Sequence, residues 1–247
     1  WLWVGIWEGK MVSGAINWVY ENPKIKTQLL TYMILFLALI ESAAIYWLII
    51  AFQIIGSDNL ALFAAIWIGL SIWLAWLWVG IWEGLLWKKS LESIALNNTM
   101  QKFYLVSTIL FIALVESAAI YALVVSFQLF QSDISLAALW VWCAVWLAWL
   151  WVGIWEGILS SRSLELMWEN PESKNFLLTI TILGVALVES VAIYGLIIWF
   201  QILWDTNISE YWAIAMWLAI WLSSLWVAYW EWKLVQWSLG AIAHHPE

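Results

Sequence analysis

The sequence has little charge, little proline and a single cysteine. Charged residues make up 11% of its 247 residues and hydrophobic residues 66%, against about 25% and about 45–50% in soluble domains. These proportions exclude a soluble fold and a disordered chain. Nine Lys and Arg in a chain with a net charge of −8 exclude a nucleic-acid-binding surface. Cys143 alone can form neither an intramolecular disulfide nor a cysteine-based zinc or iron–sulfur site, which leaves a membrane protein.

The apolar residues form seven stretches that are long enough to cross a bilayer. A spanning helix needs about 20 mostly apolar residues. Such stretches lie at 1–20, 28–55, 60–86, 103–130, 136–159, 176–204 and 211–235. Since Trp1 already lies inside an apolar helical pattern, we expect the first helix to be truncated. The sequence therefore predicts an all-α transmembrane fold.

The connections between these stretches are of two kinds. Polar turns, two of them containing Asn-Pro, lie at 20–24, 96–99, 169–172 and 244–247, and short acidic connections lie at 56–59, 131–133 and 205–207. All nine Lys and Arg lie at or near the first kind and none at the second. Because Lys and Arg accumulate in cytoplasmic loops, the Asn-Pro turns are predicted to be cytoplasmic.

A repeat of 73–75 residues runs through the chain, and each unit is predicted to be an antiparallel helical hairpin. The units are 1–58, 59–133, 134–206 and the first helix and turn of a fourth, 207–247. Each first helix carries a Glu next to Trp: Glu8, Glu83, Glu156 and Glu231. Each second helix carries Glu-Ser-(Ala/Val)-Ala-Ile-Tyr, beginning at Glu41, Glu116 and Glu189. We expect an eighth helix, the second one of unit 4, to be missing.

Within each hairpin the two Glu are 33 residues apart and equidistant from the turn. They should therefore share one depth in the bilayer, where a carboxyl costs about 2.5–3.5 kcal/mol to insert. Seven such residues at matched positions predict an ion or proton pathway. The alternative is a set of neutral structural acids that are hydrogen-bonded between helices.

A hydroxyl and a phenol follow each second-helix Glu within one and a half helical turns. These groups are Ser42 and Tyr46, Ser117 and Tyr121, and Ser190 and Tyr194. With two carboxyl groups they form an all-oxygen cluster, which suits a hard cation. A proton site needs only one desolvated carboxyl, so the pattern favours Na⁺ over H⁺.

The motif Leu-Val-Glu-Ser-Ala-Ala-Ile-Tyr at 114–121, the Asn-Pro turns and the glycine-patterned first helices carry a family resemblance. The chain resembles the c subunit (proteolipid) of rotary F-type ATP synthases, as a tandem fusion of hairpins. V-type proteolipids, which also contain several hairpins, are the alternative; some of their hairpins lack the carboxylate, whereas every complete hairpin here keeps it.

The resemblance implies an ion site between neighbouring hairpins. In sodium-coupled members a first-helix residue, the essential Glu, the following Ser and an upstream carbonyl bind the ion, and the Tyr hydrogen-bonds the Glu. The equivalent residues here fall into three sets: Glu8, Leu39, Glu41, Ser42 and Tyr46; Glu83, Leu114, Glu116, Ser117 and Tyr121; and Glu156, Leu187, Glu189, Ser190 and Tyr194. Glu231 is the first-helix residue of a fourth set, in unit 4.

The resemblance also implies a non-catalytic, multi-pass subunit of a bacterial plasma membrane that self-associates into a ring. Its partners would be lipid, the stator a subunit and the central stalk at the cytoplasmic turns, with no cofactor besides the transported ion. Two departures concern the turns. The family's Arg is replaced by Glu21, Leu96, Glu169 or His244, and Asn98 replaces Pro. A self-contained channel or carrier and an inert helical bundle are the rival functions.

Tryptophan alternates with small residues at positions that the repeat makes equivalent. Positions are counted from the first-helix Glu. Position −7 holds Trp1, Trp76, Trp149 and Ser224, and position +1 holds Gly9, Gly84, Gly157 and Trp232. Position −1 holds Trp in all four units: Trp7, Trp82, Trp155 and Trp230. Small residues let helices approach closely and Trp does not. We therefore expect many of these Trp to be Gly, encoded by UGA and translated with the wrong variant code. The alternative is a genuine Trp-lined ring with a widened lumen.

Overall fold

The chain folds into long α-helices in the computed structural model, which describes residues 2–57, 60, 62–130, 136–204 and 209–244. The helices are α1 (Leu2–Glu21), α2 (Lys26–Ile40), α3 (Ser42–Ile55), α4 (Leu62–Leu96), α5 (Gln101–Val115), α6 (Ser117–Leu129), α7 (Leu136–Glu169), α8 (Lys174–Trp204) and α9 (Glu210–His244). No strand occurs in these ranges, and the predicted all-α hairpin fold is confirmed. The acidic connections predicted at 131–133 and 205–207, and Asp58 and Asn59, lie outside the described residues.

The first helices of units 2, 3 and 4 run about ten residues beyond the ends that hydropathy predicts. α4 and α9 have 35 residues each and α7 has 34. A helix of that length measures about 52 Å, whereas the hydrocarbon core is about 30 Å thick. The last turns of these helices therefore lie outside the hydrocarbon core. They carry polar residues such as Ser, Lys and Glu, which are not part of the apolar stretches in the sequence.

A short turn joins the two helices of each complete hairpin, at the predicted place. An Asn with non-helical backbone precedes one turn of 3₁₀ helix: Asn22 (φ −131°, ψ 76°), Asn97 (−134°, 81°) and Asn170 (−128°, 72°). A following Pro disfavours the helical conformation in the residue before it, which agrees with the helix ends at Asn22 and Asn170. Asn97 adopts the same conformation before Asn98, so the replacement of Pro leaves the turn geometry unchanged.

The helices pack in two rows. The first helices α1, α4, α7 and α9 contact one another in chain order, and the second helices form the other row through contacts of α3 with α6 and of α5 with α8. Each second helix also packs against the first helix of the next unit, as α3 does on α4 and α8 on α9. Neighbouring units therefore share an interface that contains both kinds of helix.

Five segments of the described chain are long and apolar enough to cross a membrane: Pro23–Ile55, Ala64–Leu96, Asn98–Leu129, Pro171–Gln201 and Ile214–Ile242. They include the second helices of the three complete hairpins and two first helices. α1 and α7, which the sequence also predicts as spans, pack directly against them.

A charged cluster links units 2 and 3 near the turns. Lys89 Nζ lies 3.2 Å from Glu92 Oε2 and 3.4 Å from Glu165 Oε1, and Arg162 pairs with the other oxygen of Glu165. The side chains are a quarter to two-fifths exposed, so solvent weakens the attraction.

Replacing Lys89 by Ala should therefore lower the free energy of unfolding by no more than about 1 kcal/mol. Thermal unfolding of the purified chain in detergent measures the change, and Lys88→Ala, at an exposed neighbouring position, is the control. A loss several times larger than in the control would mean that this cluster holds the two units together.

Candidate ion-binding site

The structure brings together the two glutamates of each complete hairpin. The carboxyl groups of Glu8 and Glu41, of Glu83 and Glu116, and of Glu156 and Glu189 interact electrostatically. Because each pair is equidistant from its turn, the antiparallel helices place both carboxyls at one height. Glu231 lies half-buried on α9, at the position equivalent to Glu83 and Glu156.

The two carboxyls of a pair differ in their exposure. Glu83 is 1% and Glu156 0% exposed, between the two rows of helices. Glu116 and Glu189 are half-buried and Glu41 is exposed. The second-helix carboxyl is thus the more accessible one in the pairs of units 2 and 3.

A hydrogen bond crosses from unit 2 to unit 3 at this height. The Tyr121 hydroxyl donates to Glu189 Oε1 over 2.8 Å. The Ser117 hydroxyl oxygen is buried and lies beside the Tyr121 hydroxyl. A phenol, a hydroxyl and paired carboxyls therefore meet near the boundary between neighbouring hairpins, and all of their donor atoms are oxygen.

The remaining predicted residues occupy less enclosed places. Tyr194 is 62% and Leu187 51% exposed, on the face of α8 that has no further hairpin beside it in the described chain. Leu39, Leu114, Ser190 and Tyr46 are half-buried, and the side chain of Ser42 lies outside the described residues. Among the described residues no three His, Cys, Asp or Glu groups converge to hold a metal ion.

In units 1 and 2 the second-helix Glu separates two helical segments, although its own backbone stays in the helical region. α2 ends before Glu41 and α5 before Glu116, with backbone angles of −65°, −19° and −66°, −20°. The Glu116 carbonyl accepts from the Ala119 N–H over 2.9 Å and from the Ile120 N–H over 3.1 Å, so a three-residue step accompanies the ordinary four-residue one. In unit 3, α8 runs through Glu189 without a break. The motif is nearly identical in all three units, so no sequence signal distinguishes them.

Two tryptophans that the sequence marks only as anomalies pack against the site tyrosines. The Tyr46 and Trp76 rings are stacked with centroids 5.3 Å apart, and those of Tyr121 and Trp149 lie 6.0 Å apart. The Trp149 indole N–H also donates to the Ala192 carbonyl over 3.3 Å. These rings cover the tyrosines on the side away from the turns.

Unit 4 has Ser224 at the position of these tryptophans. There a cavity of about 250 Å³ lies between α8 and α9, lined among others by Tyr194, Ile198, Ser223 and Ser224. The space that an indole fills in units 2 and 3 is therefore open beside Tyr194.

Three separate segments of the chain match one known protein family. The sequence profile of the ATP synthase C subunit matches residues 2–54, 66–129 and 139–202. The chain belongs to this family. Each match falls within one predicted unit and covers both helices of its hairpin, so the predicted resemblance to tandem c subunits is confirmed.

Individual relatives bear the same name. The ATP synthase c subunits of Chloroflexus aurantiacus and Chloroflexus aggregans are each 42% identical to the chain over 50 residues. The alignment covers 20% of this chain and 66% of each relative. It thus spans slightly less than two thirds of the relatives' length, and about two thirds of one 73–75-residue unit of this chain.

Proposed function

We propose that the chain is a rotor subunit of a rotary ATP synthase, in which its hairpins, with those of further copies, close a membrane ring. An ion enters through the stator a subunit, binds at Glu41, Glu116 or Glu189, travels around the ring and is released at the stator. The turns face the central stalk in the cytoplasm, and the chain itself catalyses no bond chemistry. Rotation couples ion flow to ATP synthesis.

The proposal is carried by the arrangement of the carboxyl groups, which lie in pairs at one height in equivalent hairpins. The Tyr121 hydroxyl donates a hydrogen bond of 2.8 Å to Glu189 across the hairpin boundary. Both oxygens of Glu156 are buried and have no hydrogen-bond partner among the described residues. Buried polar atoms normally have partners, and a cation or proton held between Glu156 and Glu189 supplies one. A purely structural acid would be expected to hydrogen-bond to its surroundings.

We infer that the carried ion is Na⁺. Two carboxyls, a Ser hydroxyl and a Tyr phenol offer only oxygen atoms, which suits a hard cation. A proton needs a single carboxyl in an apolar pocket. H⁺ is the alternative cargo, and a V-type pump is the alternative complex.

Labelling with a hydrophobic carbodiimide tests the function and the ion. The reagent should modify Glu116 and Glu189 in the assembled protein, and Na⁺ should prevent the reaction at constant pH. Labelling that responds to pH and not to Na⁺ would assign H⁺ instead. Unprotected labelling, or ion conduction by the chain alone in liposomes, would contradict a rotor role.

Replacing Tyr121 by Phe should weaken ion binding at Glu189. The change removes a hydrogen bond to a charged group, which contributes about 1.5–3 kcal/mol. The Na⁺ concentration that halves carbodiimide labelling of Glu189 should then rise about tenfold to a hundredfold. Tyr20→Phe, at a position 86% exposed near the turn, is the control and should leave this concentration unchanged. An unchanged value in Tyr121→Phe would contradict a role for this hydroxyl.

A further inference from the structure

Two lysines lie inside the apolar stretches of the sequence. Of the nine Lys and Arg, seven lie outside these stretches, whereas Lys10 lies within 1–20 and Lys233 within 211–235. Each follows the first-helix Glu by two residues, in units 1 and 4, where units 2 and 3 have Leu85 and Ile158. A cation within a membrane span is costly and marks a functional site by default, and the proposed ion transport uses neither lysine.

Position +2 lies on the open face of the first-helix row. Two residues turn a helix by about 200°, so this position points away from the first-helix Glu. In unit 2, Glu83 is buried against the second helices and Leu85 is exposed, although α1 and α7 flank α4 on both sides. At the equivalent positions Lys10 is exposed and Lys233 half-buried. Both lysines therefore lie on the face that is turned away from the second helices.

The charge of Lys233 is not neutralised within the described part of the chain. Its Nζ lies 4.6 Å from the centre of the Trp232 ring and 5.9 Å from that of Tyr229, whereas Lys89 and Arg162 pair with carboxylates. An aromatic face attracts a cation but carries no net charge. Lys233 is therefore able to bind an anion.

The height of the lysines indicates which anion reaches them. The apolar stretches of units 2 and 3 end at residues 86 and 159, one residue after position +2. A Lys side chain near the end of a span extends toward the headgroup layer while its stem stays in apolar surroundings. The ammonium groups of Lys10 and Lys233 thus lie at the level of lipid phosphates on the turn side of the membrane.

We propose that Lys233 of one copy and Lys10 of the next together bind the phosphate of an anionic phospholipid. The inference rests on the proposed rotor function, because α1 and α9 are the two ends of the first-helix row and become neighbours only in a ring of several copies. Packed helices have axes about 8–10 Å apart, so two ammonium groups at one height and on one face reach a single phosphate between them. Each junction between copies then holds one such site, since units 2 and 3 have no cation at position +2.

The test measures binding of phosphatidylglycerol to the assembled full chain in detergent by native mass spectrometry. Lys10→Leu and Lys233→Ile, which copy units 2 and 3, should each raise the half-saturating lipid concentration about fivefold, and together about twentyfold. Lys10→Arg combined with Lys233→Arg keeps both charges and should leave this concentration unchanged. Lys24→Leu, at an exposed position in the first turn, is the matched control, and phosphatidylcholine, which has no net charge, is the control lipid.

The outcomes separate the two proposals. A chain that remains monomeric would contradict the rotor ring and, with it, the junction between copies. If the ring assembles but the double variant binds phosphatidylglycerol as the unchanged chain does, or Lys24→Leu loses as much affinity, only the lipid site is contradicted. Equal affinity for phosphatidylcholine has the same meaning.

An electron cryo-microscopy map of the assembled protein supplies a second measurement that needs no variant. Lipid headgroup density within ion-pair distance of Lys233 Nζ and of Lys10 Nζ of the next copy is expected. Lysine side chains that point away from each other, with no density between them, would overturn the proposal.

Discussion

Replacing Glu116 by Gln should abolish ion transport by the assembled rotor, whereas replacing Glu83 by Gln should reduce it only slightly. The two carboxyls of this pair interact, and a bound Na⁺ needs one of them to be charged. Glu116 is half-buried and Glu83 is 1% exposed. Desolvation disfavours charge, so we expect the more buried Glu83 to be the protonated partner when the ion is bound. Gln imitates a protonated carboxyl in shape and in its ability to donate a hydrogen bond.

The expected sizes of the two losses follow from the different burial of the two carboxyls. Removing the charged partner of a buried ion pair costs about 3–5 kcal/mol, which lowers ion binding at that site by a factor of about 10² to several thousand. Glu83→Gln removes no charge and should change binding less than tenfold. ATP-driven Na⁺ uptake into vesicles, together with Na⁺ protection at Glu189 as an internal control, measures both variants. Glu92→Gln, on the turn side of α4, should behave like the unchanged chain.

The reverse ranking would contradict this assignment. If Glu83→Gln abolished transport and Glu116→Gln did not, the cation would be held by the first-helix carboxyl. Equal and severe losses would mean that both carboxyls of the pair are charged when the ion is bound.

Replacing Gly157 by Ala should destabilise the bundle, whereas the same change at Gly153, one turn earlier on α7, should not. A methyl group on Gly157 would lie 2.7 Å from the Cβ, Cγ and Cε3 atoms of Trp82, a separation that real Cβ atoms do not tolerate. A methyl group on Gly153 would meet no atom within 4 Å. Trp82 of unit 2 thus fills the space that a side chain at position +1 of unit 3 would need.

Overpacking of this kind costs about 1–3 kcal/mol, and thermal unfolding of the assembled protein measures it. In a Trp82→Gly background, Gly157→Ala should cost little beyond Trp82→Gly alone, because the methyl group then has room. Equal effects at Gly153 and Gly157 would contradict the contact between Trp82 and Gly157.

The same contacts bear on the identity of the tryptophans. At the interface between units 3 and 4, the positions equivalent to Trp82 and Gly157 both hold Trp. The rings of these residues, Trp155 and Trp232, stack with centroids 4.3 Å apart. The indole N–H groups of Trp82, Trp155 and Trp232 are buried without a hydrogen-bond partner among the described residues. Gly80 and Gly153, by contrast, have no atom within 4 Å of an added methyl group. Small residues at helix interfaces normally permit close approach, and these two glycines are not used in that way.

That many of these Trp are Gly in the natural protein stays a prediction. Peptide mass spectrometry of the protein from its source should then show Gly at Trp82 and its equivalents, and the gene should carry UGA there. UGG codons at Trp76, Trp78 and Trp82 would contradict it and leave a genuine Trp-lined bundle.

The sequence by itself determined the all-α fold, the hairpin turns and the pairing of glutamates. Hydropathy defines the spans because lipid excludes unpaired backbone groups, and Asn-Pro restricts the turn residue. Since a helix rises by a constant 1.5 Å per residue, Glu83 and Glu116 must share a height when both are equidistant from the turn. The helix ends were less predictable, because hydropathy stops where polar residues begin and the helices continue beyond that point.

Only the tertiary structure decided which carboxyl is buried and which groups meet across a hairpin boundary. Nothing local tells Glu83 from Glu116, because exposure depends on which neighbouring helices cover each face. The hydrogen bond from Tyr121 to Glu189 joins residues 68 positions apart, and the break at Glu116 has no counterpart at Glu189 despite the shared motif. Local sequence sets the depth and type of each group, whereas burial and partners are set by the side chains that other helices bring to it.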